Sequence, residues 1–125
     1  MRKLIYLLLA LFWTAIIAYA CLMPSSNIPL VTIPLIDKIV HFTFHFGFTI
    51  IWFLYFRRQF LTPNTYKSLL MAFVFSVFFG IIIEMLQGFY TATRAQDVTD
   101  VLANTFGGTF AIITIVFYTS YISKK

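Results

Sequence analysis

Four long apolar segments, separated by short polar stretches, make up most of the chain. They cover residues 4–23, 37–56, 68–87 and 97–122. Each segment has about 20 residues or more, which is the length that an α-helix needs to cross about 30 Å of hydrocarbon. The pattern therefore predicts an all-α protein: a four-helix transmembrane bundle that forms one integral membrane domain over residues 1–125.

The composition identifies the lipid bilayer as the surroundings of this bundle. Hydrophobic residues make up 61% of the chain and charged residues 10%, whereas soluble domains average about 25% charged residues. The net charge of +5 does not indicate nucleic-acid binding, because the basic residues stand in small groups beside apolar segments and form no stripe interleaved with exposed aromatic residues. The one cysteine, Cys21, excludes an intramolecular disulfide.

The first apolar segment has a rival interpretation as a signal peptide. Arg2 and Lys3 would form its basic region, and Ala18-Tyr19-Ala20 resembles a cleavage site. However, the apolar run is longer than the usual 7–15 residues of a signal peptide and continues past that site to Met23. A retained transmembrane helix is the prediction that fits this run better.

The charged residues divide between the two ends of the predicted helices. By the positive-inside rule, the side with more basic residues faces the cytoplasm. The sequence thus predicts a multi-pass protein of the cytoplasmic membrane with both termini in the cytoplasm and all four acidic residues at the extracytoplasmic side. Seven of the nine basic residues lie on the cytoplasmic side of this arrangement: Arg2, Lys3, Arg57, Arg58, Lys67, Lys124 and Lys125.

A polar stripe at helical spacing lies near the predicted extracytoplasmic end of each of the last three segments. Charged side chains within a bilayer are costly, at about 2.5–3.5 kcal/mol each on insertion scales, so stripes at matching depth are expected to face one another. The stripes comprise Asp37, Lys38, His41 and His45 on the second segment, Gly80, Glu84 and Gln87 on the third, and Asp97, Asp100 and Asn104 on the fourth, with Arg94 in the preceding loop.

Most of these positions also have a purely structural explanation. Asp97 is suitably placed to cap the last helix, and Asn104 could be an interhelical hydrogen-bonding residue. Lys38 and Arg94 could be interfacial anchors. Glu84 fits such an explanation least, because a carboxylate about one turn inside a span needs a partner; Lys38 or Arg94 is its expected counter-ion.

The same residues allow three kinds of function. His41, His45 and Glu84 are candidate ligands for a divalent cation, although Phe42 stands where the usual metalloprotease helix has glutamate, and the sequence assigns no metal or other cofactor. Glu84 and His41 are candidate catalytic residues of an acid/base pair. The third possibility is a charged pocket that binds a ligand or lipid head group without chemistry.

The order of these polar residues resembles the VanZ-like family of small multi-pass bacterial membrane proteins. The resemblance covers residues 24–108, and it implies a helical protein of the cell envelope. The founding member of that family is linked to resistance to the glycopeptide antibiotic teicoplanin. Nine residues carry the resemblance, which implies that they are polar positions shared by the family. They are Asp37, Lys38, His41, Glu84, Gln87, Arg94, Asp97, Asp100 and Asn104.

Two functional hypotheses follow from the cluster and the resemblance. In the first, the protein binds an envelope precursor, a head group or a glycopeptide-like ligand at its outer side. In the second, it is a membrane-embedded hydrolase or transferase that acts on lipid-linked envelope precursors, with or without a metal. Glu84 would then be the base, His41 an acid or ligand, and Lys38 with Arg94 a clamp for phosphate oxygens.

Overall fold

Four α-helices make up most of the part of the protein that the structure describes. A computed structural model describes residues 1–24, 26, 35–60, 64–92 and 95–124. The helices are α1 (Arg2–Leu22), α2 (Ile36–Arg57), α3 (Thr65–Tyr90) and α4 (Val98–Ser123). All four are long and apolar enough to cross a membrane. The predicted all-α, four-span architecture is confirmed. The ends of the predicted spans differ from those of the helices by at most about three residues, which is a normal uncertainty for helix ends.

The bundle buries polar side chains and exposes large apolar ones. Phe12 and Phe117 are 66% and 72% exposed, for example, whereas Glu84 and Asn104 are 4% and 2% exposed. In water this distribution would leave a large apolar surface without cover, whereas in lipid it leaves the apolar side chains in a matching solvent. The burial pattern therefore supports a bilayer around the helices.

α2 is the central helix of the arrangement. Within the described residues it contacts each of the other three helices, while α1 contacts α2 and α3 and makes no contact with α4. Two tryptophans fix α1 against α2: Trp13 Nε1 donates to the Phe44 carbonyl at 3.0 Å, and Trp52 Nε1 donates to Thr14 Oγ1 at 3.2 Å. Interhelical hydrogen bonds of this kind stabilise membrane bundles, because the apolar solvent offers the donors no alternative partner.

Glycines bring α2, α3 and α4 close together at the level of the polar stripes. A Cβ added at Gly107 would collide with the backbone carbonyl of Phe42, and one added at Gly80 would stand 3.0 Å from Asn104 Nδ2 and His45 Cε1. Small residues allow helix backbones to approach in bilayers, where dispersion contacts rather than hydrophobic association hold helices together. This proximity lets short side chains on three helices contact one another.

The ends of α3 and α4 are defined by side-chain caps. Asn64 Oδ1 accepts a hydrogen bond from the Lys67 amide at 2.9 Å, and Asp97 Oδ1 accepts one from the Thr99 amide at 2.8 Å. Each cap satisfies an amide that the first helical turn leaves without an intrahelical partner. The capping role expected for Asp97 is present, and it places this carboxylate at the mouth of the polar cluster.

Candidate functional site

An ammonium surrounded by aspartates forms the outer layer of the polar cluster. Lys38 Nζ donates to Asp97 Oδ2 at 2.6 Å and to Asp37 Oδ2 at 3.3 Å, and it also contacts Asp100 Oδ1. These contacts join the first turn of α2 to the first turn of α4. The Asp100 side chain is 7% exposed, whereas those of Lys38 and Asp97 are 26% and 44% exposed. The layer therefore extends from the protein surface into the bundle.

The Lys38 ammonium changes the acidity of the capping carboxylate. Its hydrogen bond, together with those from the Thr99 hydroxyl and amide, holds the pKa of Asp97 well below the ordinary range of an aspartate. Asp97 therefore stays ionised at any physiological pH, and it can act as a helix cap and as an ion-pair partner at once.

His41 lies directly beneath this layer and is 3% exposed. Its Nδ1 is 3.1 Å from Asn104 Oδ1. Its Nε2 lies 3.8 Å from Asp37 Oδ1 and 3.6 Å from Asp100 Oδ2. The two aspartates thus direct one oxygen to Lys38 and the other to the imidazole. In the inner part of the cluster, His41 thus connects α2 to Asn104 and Asp100 of α4.

Glu84 supplies the contribution of α3 and is also buried. Its Oε2 accepts the Asp97 amide hydrogen at 3.3 Å, and its Oε1 lies 3.8 Å from His41 Nδ1, too far for a hydrogen bond. Among the described residues, Oε1 has no hydrogen-bond partner. Lys38 is not the counter-ion of Glu84, because its ammonium is held by Asp37, Asp97 and Asp100. Arg94, the other expected counter-ion, lies outside the described residues.

Two of the predicted polar residues have other partners. Gln87 Nε2 donates to the Cys21 carbonyl at 2.8 Å and so ties α3 to α1. His45 Nδ1 forms a hydrogen bond of 2.8 Å with Ser76 Oγ, and its ring packs beside Phe48 and Phe79. His45 is thus separate from the carboxylates, although the i, i+4 spacing had grouped it with His41. Sequence reasoning gave Ser76 no role, since serine is common at bundle interfaces and carries no positional signal.

The structure therefore brings seven of the predicted polar residues together in one network, which we call the carboxylate cluster. Arg94 lies outside the described residues. The cluster members are Asp37, Lys38, His41, Glu84, Asp97, Asp100 and Asn104.

Among the residues that the structure describes, the cluster carries an excess of negative charge. Among the described residues it contains four carboxylates and a single ammonium, and that ammonium is already shared by three of the carboxylates. A buried carboxylate without a compensating partner is unfavourable, so the cluster favours a further positive charge or hydrogen-bond donor. Its chemistry is therefore better suited to a cation than to an anion.

The four-helix fold and this set of polar residues agree with the family to which the chain is similar. The family model described as VanZ/LLP1 matches residues 3–119 of the chain. The chain belongs to the VanZ/LLP1 family. No curated protein and no solved structure matches the chain. The VanZ/LLP1 match extends over all four helices, so the family assignment and the fold refer to the same unit.

Proposed function

We propose that this VanZ/LLP1 protein binds the amine-bearing head group of an envelope component at the extracytoplasmic mouth of its bundle, in the cytoplasmic membrane. The observation that carries the proposal is the buried Glu84 Oε1, which has no hydrogen-bond partner among the described residues, within a cluster rich in carboxylates. A primary ammonium offers both the positive charge and the donors that this oxygen lacks.

The position of the mouth relative to the membrane rests on charge distribution. The basic residues Arg2–Lys3, Arg57–Arg58 and Lys124 lie at the end of the bundle opposite the carboxylate cluster. By the positive-inside rule that end faces the cytoplasm. Binding of an envelope precursor, or of a glycopeptide, at the opposite end is also what the link of the founding VanZ to teicoplanin resistance would require.

The proposal is tested by lipid retention of the detergent-purified protein, measured by native mass spectrometry with ethanolamine, choline and glycerol phospholipids of equal acyl chains. We expect the ethanolamine lipid to be retained in preference to the other two, because choline has no N–H donor. Glu84→Gln should reduce this preference at least about tenfold, since a hydrogen bond to a charged group is worth about 1.5–3 kcal/mol.

Ser76→Ala is the matched control for this experiment. Ser76 is a buried polar residue about two turns deeper on the same helix, where it contacts His45 rather than the cluster. This variant should keep the wild-type preference. Equal retention of ethanolamine and choline lipids by the wild type, or an unchanged preference in Glu84→Gln, would contradict the proposal.

A membrane-embedded hydrolase or transferase is the second candidate, and one observation favours it. His41 lies between Glu84 on one side and Asp37 and Asp100 on the other, an arrangement in which an imidazole could exchange protons with a bound substrate. Turnover of a lipid-linked envelope precursor that is abolished by Glu84→Gln and His41→Gln would favour this candidate over simple binding.

A further inference from the structure

Three electron-rich atoms converge at the inner side of the aspartate layer. The carboxylate oxygens that lie near His41 Nε2 are Asp37 Oδ1 and Asp100 Oδ2, and one ligand atom from each of the three residues lies within 4.8 Å of the others. The Lys38 ammonium uses the opposite oxygens of the same two aspartates, Asp37 Oδ2 and Asp100 Oδ1. The lysine therefore does not compete for the atoms that face the imidazole.

The contact with Asn104 at the far side of the imidazole is compatible with a lone pair on the ring nitrogen that faces the aspartates. Asn104 Oδ1 lies 3.1 Å from His41 Nδ1. In the tautomer whose Nδ1 carries the hydrogen, Nδ1 donates to this oxygen, because an amide oxygen can only accept. In the neutral imidazole, Nε2 then presents a lone pair towards two carboxylate oxygens. A histidine that donates one N–H to a protein oxygen and offers its other nitrogen is the usual form of a metal-binding histidine.

The separations between these atoms also fit a shared cation. Nε2 is 3.6 Å from Asp100 Oδ2 and 3.8 Å from Asp37 Oδ1, which is too long for direct hydrogen bonds. Ligands that each lie about 2.1 Å from one zinc ion at tetrahedral angles are about 3.4 Å apart. Small movements of the aspartate side chains would therefore place all three atoms around one ion.

A separate observation at the inner edge of the cluster indicates that positive charge is needed there. Glu84 is 4% exposed, and its Oε1 has no hydrogen-bond partner among the described residues although it lies 3.8 Å from the same imidazole. This carboxylate stands behind His41, where its negative charge would make the imidazole a stronger ligand. Glu84 would support the ion from behind the histidine.

We propose that Asp37, His41 and Asp100 form a binding site for one divalent transition-metal ion of the Zn²⁺ or Mn²⁺ class. Nitrogen and carboxylate ligands together favour such ions over Mg²⁺ or Ca²⁺, which prefer oxygen alone. Three protein ligands leave a coordination position open for water or for an outside ligand. The site shares the carboxylate cluster with the head group proposed above, but its ligands are Asp37, His41 and Asp100 whereas the head group is assigned to Glu84 Oε1. Loss of metal binding in the His41 and Asp100 variants and loss of lipid preference in Glu84→Gln are therefore distinguishable results.

Metal binding to the purified full-length protein tests this site. The protein is stripped with chelator in detergent, and uptake of Zn²⁺ or Mn²⁺ alone is measured by calorimetry and elemental analysis. We expect about one ion per chain in the wild type, a loss of affinity of at least about tenfold in both His41→Gln and Asp100→Asn, and little effect of Mg²⁺ at equal concentration.

His45→Gln is the matched control, because His45 is a buried histidine one turn further along the same helix and its ring contacts Ser76. It should bind the ion like the wild type. No uptake by the wild type, full uptake by His41→Gln, or equal loss in His45→Gln would each overturn the site.

If the His41 and Asp100 variants do not fold, cobalt spectroscopy of the wild type tests the proposed ligand set instead. Co²⁺ bound by nitrogen and oxygen ligands should give visible d–d bands without thiolate charge-transfer absorption. An absence of d–d bands, or a thiolate band from Cys21, would overturn the proposed ligand set.

Discussion

Gly107→Ala is expected to destabilise the bundle by at least about 2 kcal/mol. The added methyl group would collide with the backbone carbonyl of Phe42, which lies across the α2–α4 interface. Overpacking typically costs about 1–3 kcal/mol, and a backbone carbonyl within a helix cannot move aside as a side chain can. The two helices would separate locally, and the contacts between Lys38 and Asp100 would lengthen. The melting temperature in detergent is the measurement.

Gly88→Ala is the matched control for this substitution. The atoms nearest to a Cβ at Gly88 would be those of the Gln96 side chain, from Cγ outwards, and both residues are exposed. The Gln96 side chain can rotate away, and alanine favours a helix over glycine by about 0.5–1 kcal/mol. Gly88→Ala should therefore leave the melting temperature unchanged or raise it. If the melting temperature fell by a similar amount in both variants, the prediction would be contradicted, because the effect of Gly107→Ala would not come from the close approach of α2 and α4.

Lys38→Met is expected to destabilise the folded protein by about 2 kcal/mol and to weaken the contact between α2 and α4. The substitution removes the ammonium from Asp100, whose side chain is 7% exposed. Removing one partner of a fully buried ion pair costs about 3–5 kcal/mol, because the remaining charge is left without compensation. The expected cost is smaller here, since the Lys38 side chain is 26% exposed and solvent screens the pair.

The double variant Lys38→Met with Asp100→Asn separates this explanation from a simple loss of packing. If the cost of Lys38→Met comes from the uncompensated Asp100 carboxylate, neutralising that carboxylate should recover at least half of the lost stability. Melting temperatures of the wild type, both single variants and the double variant supply the cycle. If the stability losses of the two single variants simply added in the double variant, the ion pair between Lys38 and Asp100 would not be what holds α2 to α4.

The helices could be predicted from the sequence because membrane-spanning segments are recognisable by length and composition. Lipid requires about 20 consecutive apolar residues and internal hydrogen bonds for every backbone amide, so a run such as residues 4–23 has few alternatives. The bounds moved by up to about three residues, as at Thr65, where the Asn64 cap rather than the apolar run sets the start of α3. Capping depends on local hydrogen bonds that hydropathy does not report.

The proximity of the polar stripes could also be predicted, but their pairing could not. Helical spacing places Asp37, His41 and His45 on one face, yet His41 joins Asp100 and Asn104 whereas His45 joins Ser76. Which neighbour each residue meets depends on the rotation and tilt of α3 and α4. Those are set by close contacts such as that between Gly107 and the Phe42 carbonyl, which a single sequence does not specify.

The side of the membrane on which the carboxylate cluster opens is the central claim, and cysteine labelling tests it most directly. Cys21 is buried and is replaced by alanine as background. Ala92→Cys lies just beyond the end of α3, at the same end of the bundle as the cluster, and Gln59→Cys lies beside Arg58 at the opposite end. Both positions are exposed.

Intact cells that carry either variant are treated with a membrane-impermeant maleimide. We expect Ala92→Cys to be labelled at once and Gln59→Cys only after the membrane is permeabilised. Labelling of Gln59→Cys in intact cells, with Ala92→Cys protected, would place the cluster in the cytoplasm and contradict a site for extracytoplasmic envelope components.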